Sequence, residues 1–268
     1  MSVRRRITIC ADDFALDGMV SSSILELAAR ERISAVSCFA DAPLWAEAGP
    51  ELLRHRDEVL IGLHFNLTQC FDGACTTLHK TIFAALTRRL DPMTVRFHLA
   101  RQIERFTAVV GELPDFIDGH EHVHAFPIVA DVVRRMAVEV SPGAPVPIRS
   151  VNDFFGPTDA PLKRIVIRSL AALGGRETAG VRQIRLNTGF AGDYSLRAQD
   201  FGGLFRTWLE MAPDRALIMC HPGRDASGNA GSAGSEEFRF LGSPAFADLF
   251  ATHSIRFLRR DELLRRTK

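Results

Sequence analysis

Four apolar, β-branched runs in this chain end on residue types that bind metal ions or carry protons, and this coincidence limits the fold more than any other feature. Ile7-Thr8-Ile9-Cys10-Ala11 is closed by Asp12 and Asp13, and Leu60-Ile61-Gly62-Leu63 by His64. Phe116-Ile117 is closed by Asp118, with His120, His122 and His124 behind it, and Leu217-Ile218-Met219-Cys220 by His221. Strand-like runs recur at 6–11, 34–40, 58–63, 115–118, 146–149, 183–186, 215–220 and 255–258. Between them, helical periodicity occupies 19–31, 44–55, 94–111, 126–139, 161–173, 197–210, 244–251 and 260–266. Such alternation predicts an α/β architecture with a parallel sheet. If the sheet is a barrel, all strand C-termini lie on one rim, and the four polar endings converge there.

About eight units in 268 residues suit a (β/α) TIM-like barrel better than an open doubly wound sheet. No G-x-G-x-x-G follows the first run, which removes the main support for dinucleotide binding. We therefore expect a single (β/α)-barrel domain over 1–268, with long loops at the C-terminal rim over 65–80, 141–161 and 222–235. The last, PGRDASGNAGSAGS, has the composition of a mobile lid or a disordered insertion.

Charge excludes one class of partner. Lys and Arg total 33 against 32 Asp and Glu, so no excess of cations exists to neutralise a nucleic acid. The short basic start at Arg4 to Arg6 is no signal peptide, and no span of about 20 apolar residues exists to cross a membrane. The expectation is a soluble, cytoplasmic protein. Five cysteines lack any CxxC spacing, and Cys10, Cys38 and Cys220 sit in strand-like runs as small core residues. Neither a disulfide framework nor a zinc–thiolate site is expected.

A carboxylate with two imidazoles is a common site for a divalent cation. Adjacent carboxylates point to opposite faces of an extended strand. Past a strand end the chain turns, so one of Asp12 and Asp13 can face a cation while the other acts as general base. If 120–124 were extended, its three histidines would share a face with the outer Cα atoms about 13 Å apart. One ligand is then expected from the run, the others supporting it, touching substrate or packing. His221, before the turn Pro222-Gly223, is a candidate acid, since a free imidazole titrates near ~6.5. Arg149 could hold a catalytic carboxylate ionised, grip substrate or form a plain salt bridge. Asp41 could bond a polar substrate or cap a helix. His55, His79, His98 and His253 lack partners in the pattern, and Trp45, Tyr194 and Trp208 are too scattered to form a stacking platform.

At these residues the chain resembles the YdjC-like carbohydrate deacetylases, which include chitooligosaccharide deacetylases and the deacetylases of hopanoid biosynthesis. The resemblance is carried by Ala11-Asp12-Asp13-Phe14, Gly62-Leu63-His64-Phe65-Asn66-Leu67-Thr68, Asp118-Gly119-His120-Glu121-His122-Val123-His124 and Cys220-His221-Pro222-Gly223, over about residues 5–260. It implies a distorted (β/α) barrel and hydrolysis of an N-acetyl group on an amino sugar, with release of acetate. By position it implies Asp13, His64 and His120 as metal ligands, Asp12 as general base and His221 as acid. Asp41, Asn66, Asp118, His122, His124 and Arg149 are left to touch substrate or support these groups. The resemblance implies Mg²⁺, whereas two imidazoles favour Zn²⁺, Mn²⁺ or Co²⁺ on softness. It is also compatible with a homodimer. Three positions depart from the family pattern: Ala15 stands for Gly, Ser21 for Asn and Asp41 for Asn. A metal-dependent sugar isomerase or aldolase would carry more carboxylates and a strand-end lysine, and Lys80, Lys163 and Lys268 are the chain's only lysines. A sugar-binding protein without turnover would need neither base nor acid.

Overall fold

A computed structural model describes residues 4–71, 76–175, 184–195, 200–223 and 233–264. Its centre is β1 (Arg5–Phe14), whose middle is wholly buried. Beside it runs β2 (Ala35–Cys38), then β3 (Leu60–Phe65) and β4 (Ile117–Gly119). On the other side lie β6 (Ala216–Cys220) and β5 (Gly189–Ala191), giving the order β4-β3-β2-β1-β6-β5. The short β7 (Ile255–Phe257) pairs with the start of β1 at Arg5 to Ile7. Every pairing is parallel, and β2, β3, β5 and β6 are buried along their whole length, as strands covered on both faces must be.

The sheet is a parallel half-barrel rather than a closed eight-stranded one. Two of the expected strands, 146–149 and 183–186, shrink to single bridges, Ile117 with Ile148 and Ile148 with Arg185. Prolines explain the first. Pro145 and Pro147 have no N–H, so the donors of this segment to its sheet neighbours are Ile148 and Arg149, to the Ile184 and Ile117 carbonyls, while the Pro147 carbonyl accepts the Ile117 N–H. A third bridge, Phe154 with Phe190, joins this segment to β5, a strand the sequence pattern did not reveal.

Ten helices among the described residues cover the sheet. α1 (Gly18–Ala29), α2 (Trp45–Leu53), α3 (Leu78–Leu86) and α4 (Pro92–Val110) precede β4. α5 (Val129–Glu139), α6 (Pro161–Gly174), α7 (Phe201–Met211), α8 (Ala233–Leu241), α9 (Pro244–Thr252) and α10 (Arg260–Leu264) follow it. Boundary chemistry is clear in α4. The Asp91 carboxylate accepts the Met93 and Thr94 N–H groups, Pro92 opens the first turn, and Gly111 at φ 80° ends the helix. α3 and α8 begin inside stretches expected to be loops, 65–80 and 222–235. Most of the lid expectation, residues 224–232, lies outside the described residues. No described helix is long and apolar enough to cross a membrane.

Cys10, Cys38 and Cys220 are buried free thiols, as expected of core positions. Cys70 is disulfide-bonded, against the expectation of unpaired thiols. Gly62 leaves no room for a side chain: a Cβ there would lie 2.3 Å from the tip of the Phe116 ring. This contact seats β4 beside β3 and so sets Asp118 next to His64.

Candidate metal centre

Asp12 and Asp13 both lie inside β1, not beyond its end as expected. What separates them is backbone conformation. Asp13 has φ 68° and Ala15 φ 72°, and the register between β1 and β2 shifts between Ala11 and Phe14. Left-handed residues cost on the order of 1–2 kcal/mol each and persist only where surrounding contacts over-determine them. The kink turns the Asp13 carboxylate to the rim and leaves Asp12 buried behind it.

Three donors converge at the rim. Asp13 Oδ1 lies 3.3 Å from His64 Nε2 and 3.1 Å from His120 Nδ1. One ligand atom from each of the three residues falls within 4.8 Å of the other two. His64 ends β3, and its orientation is imposed from behind: Nδ1 lies 2.7 Å from Asp118 Oδ1 and 3.0 Å from the Ser37 hydroxyl. With Nδ1 engaged there, Nε2 is the ring atom turned to Asp13. A carboxylate behind an imidazole in this way fixes its tautomer and raises its basicity as a ligand. Phe39 packs edge-on against both rings, 5.0 Å from His64 and 5.0 Å from His120.

The histidine run is not extended. Residues 120–125 form a tight turn with Glu121 at φ 52° and His122 at φ 60°. His120 alone faces Asp13. His122 is buried against Phe190, 5.6 Å between ring centroids. His124 Nε2 lies 3.1 Å from the Arg149 carbonyl, as a ring N–H donating to it would. Burial holds both in the neutral form: His122 titrates well below its ordinary range and His124 is pushed down to about 4.

Behind the three donors sits a dry ionic core. Arg149 donates to both Asp12 oxygens, Nη1 to Oδ2 and Nη2 to Oδ1, each at 2.6 Å, and its Nη2 also pairs with Asp118. The guanidinium is fully buried, so it supports the carboxylates and does not reach a substrate. Burial alone would raise the Asp118 carboxyl, but Arg149 and then His64 hold it down at about 2. Burial opposes ionisation of Asp13 too, yet hydrogen bonds from His120 and His64 keep it well below the usual carboxylate range. Three carboxylates thus gather around one arginine and the His64 imidazole, which burial would lower but Asp118 and Asp13 push up to about 10; a divalent cation would take the place of that proton.

Asp41 and Asn66 line a cavity of about 720 Å³ with Trp45, Gln69, Phe71 and Arg105, a wall that includes none of the three donors. Asp41 caps no helix: α2 starts after Leu44 without a side-chain cap, and Asp41 Oδ2 instead accepts from Asn66 Nδ2 at 2.8 Å. Asn66 Oδ1 accepts the Thr68 and Gln69 N–H groups, shaping the loop after β3. Buried Gln102 of α4 closes that loop by bonding both the N–H and the carbonyl of Asn66. Trp45 stacks on Phe106 at 5.5 Å, while Tyr194 and Trp208 belong to a separate aromatic cluster with Phe201. His221 follows β6 with a partly exposed ring, and its charge acts on Asp13.

Ser37, Phe39, Gln102 and Glu237 were not singled out in the sequence, and Tyr194 was weighed only as a stacking aromatic. Ser37 carried a weak signal, a hydroxyl within an apolar strand. The two departures Ala15 and Ser21 are neighbours in space: the Ala15 N–H donates to Ser21 Oγ at 3.1 Å.

The model of the YdjC-like protein family matches residues 6–252. A chitooligosaccharide deacetylase of Escherichia fergusonii is 27% identical over 148 residues, 51% of this chain and 57% of that protein. A mouse carbohydrate deacetylase is 29% identical over 144 residues, 48% of this chain and 46% of its own. These matches span about half the length of the relatives. Among solved structures, a putative cellobiose-phosphate cleavage protein of Enterococcus faecalis superposes with a TM-score of 0.70 at 18% identity, covering 98% of this chain and all of that one. A peptidoglycan N-acetylglucosamine deacetylase gives 0.51 at 12% identity, covering 94% and 85%. At these identities the structural likeness concerns the fold.

Proposed function

This chain belongs to the YdjC-like family, and we propose that it is a divalent-cation-dependent carbohydrate deacetylase that hydrolyses the N-acetyl group of an amino sugar. The observation that carries the proposal is the meeting of Asp13, His64 and His120 at the strand-end rim. One oxygen and two nitrogen donors, a pinned rear nitrogen on His64 and a local excess of carboxylate all fit a divalent cation. Mg²⁺ follows from the family, and Zn²⁺, Mn²⁺ or Co²⁺ from the imidazoles. When bound, the cation would supply Lewis acidity toward the acetyl carbonyl and the attacking water.

The remaining work falls to the chain. Asp12, oriented by Arg149, takes the proton of the attacking water. Oxygen adds to the acetyl carbon, the C–N bond breaks, and His221 delivers a proton to the departing nitrogen. The products are acetate and a free amino sugar. Asp41, on the cavity wall, is the group offered to sugar hydroxyls, while Asn66 shapes the loop beside it.

The test is acetate release from N-acetylated mono- and disaccharides, nucleotide sugars and lipid-linked amino sugars, with each of the four cations. Asp13→Ala and His64→Ala are expected to lose both tight cation binding and turnover. Full acetate release by either variant, or none by the wild type with any cation, would overturn the proposal.

A further inference from the structure

Five carboxylates are buried among the described residues: Asp12, Asp115, Asp118, Asp193 and Glu237. Four are balanced by arginine. Asp12 and Asp118 share Arg149, Asp193 is gripped by Arg164 at 2.6 and 2.7 Å, and Asp115 meets Arg260 at 2.8 Å and Arg56 at 3.2 Å. Glu237, on α8, is the exception. Its Oε1 accepts the Tyr194 hydroxyl and its Oε2 accepts the backbone N–H of His221. A carboxylate taken wholly out of water without a cationic partner costs several kcal/mol in round terms, so a structure that keeps one ties it to something. Burial pushes the Glu237 carboxyl up, and His221 together with the bonds from Tyr194 and the His221 N–H works against that rise.

The surroundings of His221 give this pair a purpose. The ring Nδ1 is buried and makes no hydrogen bond, so no side chain orients the imidazole through that atom. What holds the residue is its backbone. The His221 N–H is fixed by Glu237, the Gly223 N–H donates to the Gly234 carbonyl at 3.1 Å, and the Ser235 hydroxyl donates to the Gly223 carbonyl at 3.3 Å. All three ties come from the first turns of α8, and Tyr194, after β5, closes the far side of the carboxylate.

We propose that Glu237, held by Tyr194, is a positioning residue for His221: it clamps the His221 backbone at the end of β6 and sets a buried carboxylate beside the residue that delivers the proton. Neither residue touches substrate. The inference deepens the deacetylase reading and rests on it, since it assigns Glu237 to the step in which the amine departs.

Leaving-group dependence separates this role from a merely structural one. A sugar amine needs a proton to leave, whereas p-nitrophenolate does not, so loss of acid function should spare an activated ester. Glu237→Gln keeps an acceptor for the His221 N–H but removes the charge. On the best acetylated sugar from the panel above, this variant is expected to lower kcat roughly 10- to 100-fold with KM within about twofold. Cation-dependent turnover of p-nitrophenyl acetate should stay within about twofold, and hydrogen exchange at the His221 amide should stay slow. Glu237→Ala should also lose the exchange protection. Unchanged kcat on the sugar in Glu237→Gln, or an equal fall on sugar and ester, would overturn the inference. A wild type that releases acetate from no substrate would bring down the deacetylase reading, and this assignment with it.

Discussion

Two clusters of potential metal ligands lie back to back across the kink in β1, and they have solved the same electrostatic problem differently. Cys10, Asp12 and Asp118 form one, every member buried, and Asp13, His64 and His120 form the other, with Asp13 and His120 partly open to the rim. In the buried cluster the cation is part of the chain: Arg149 fills it, touching Asp12, Asp118 and the Cys10 sulfur at 3.0 Å. Burial pushes the Cys10 thiol up, so it stays neutral there. In the rim cluster no arginine or lysine among the described residues is hydrogen-bonded to the donors. Similar ligand atoms therefore make an ion pair where a covalently tethered cation reaches them, and a candidate metal site where none does.

Arg149→Met should have the largest effect, because it strips the cation from the closed cluster while keeping an apolar side chain of similar length. Two buried carboxylates would lose their partner at a cost of about 3–5 kcal/mol, readable as a fall in the urea unfolding midpoint. A cost below about 1 kcal/mol would show that the cluster is not the closed ion pair described above.

Acid probes the same cluster from its rear, where His124 meets the Arg149 carbonyl. His124 titrates at about 4 when folded, against about 6.5 unfolded. The unfolded chain thus binds the extra proton between these values, and stability is lost as pH falls from about 6.5 toward 4. The loss is about 3 kcal/mol, with buried His122 adding in the same direction. Asp118, held at about 2, contributes only at lower pH, so the windows do not overlap. His124→Gln, able to keep the bond to the carbonyl, should remove about 3 kcal/mol of this pH dependence. An unaltered pH profile would mean that water reaches the ring.

The contrast between the clusters also explains what was legible in the sequence. Polar endings on apolar runs announced the rim, because strands buried on both faces leave little room for Asp or His except where a function or an ion pair holds them. Family order then attached roles to Asp13, His64 and His120, which do lie together. The closed cluster was harder to see. Arg149 had three readings of equal standing, and its partners are 137 and 31 residues away, so only the packing of β1, β4 and the Pro147 segment could choose. Left-handed backbone at Asp13, Glu121 and His122 was invisible for a similar reason: none is glycine, so no residue type marked it. Glu237 lacked a signal altogether, since its partners come from β6 and from the segment after β5.

The open cluster should show the reverse behaviour, contributing little by itself and more when a cation is added. At a cation concentration about 100 times Kd, binding adds roughly 2.7 kcal/mol, a rise in Tm on the order of 5–10 °C for a chain this size. Asp13→Asn should abolish that shift while moving the cation-free Tm by only a few degrees. A full shift in Asp13→Asn would place the cation elsewhere and dissolve the comparison.

The smallest expected effect lies at the kink between the clusters. Ala15 has φ 72° and is fully buried, with its N–H bonded to Ser21, itself bonded to the Asp17 carbonyl at 2.7 Å. Ala→Gly at an ordinary buried site loses a methyl contact worth about 0.8 kcal/mol and adds about 0.4–1 kcal/mol of unfolded-state entropy. At Ala15 the relief of left-handed strain, about 1–2 kcal/mol, opposes both terms. Ala15→Gly should therefore leave the unfolding free energy within about 0.5 kcal/mol of wild type, where a normal core position would lose about 1.5. Cation affinity should not change, because the Ser21 bond still fixes the backbone beside Asp13. A loss of the full 1.5 kcal/mol would show that the kink is unstrained. A fall in cation affinity at unchanged stability would show instead that the Ala15 methyl, not the backbone, keeps the two carboxylates on opposite sides.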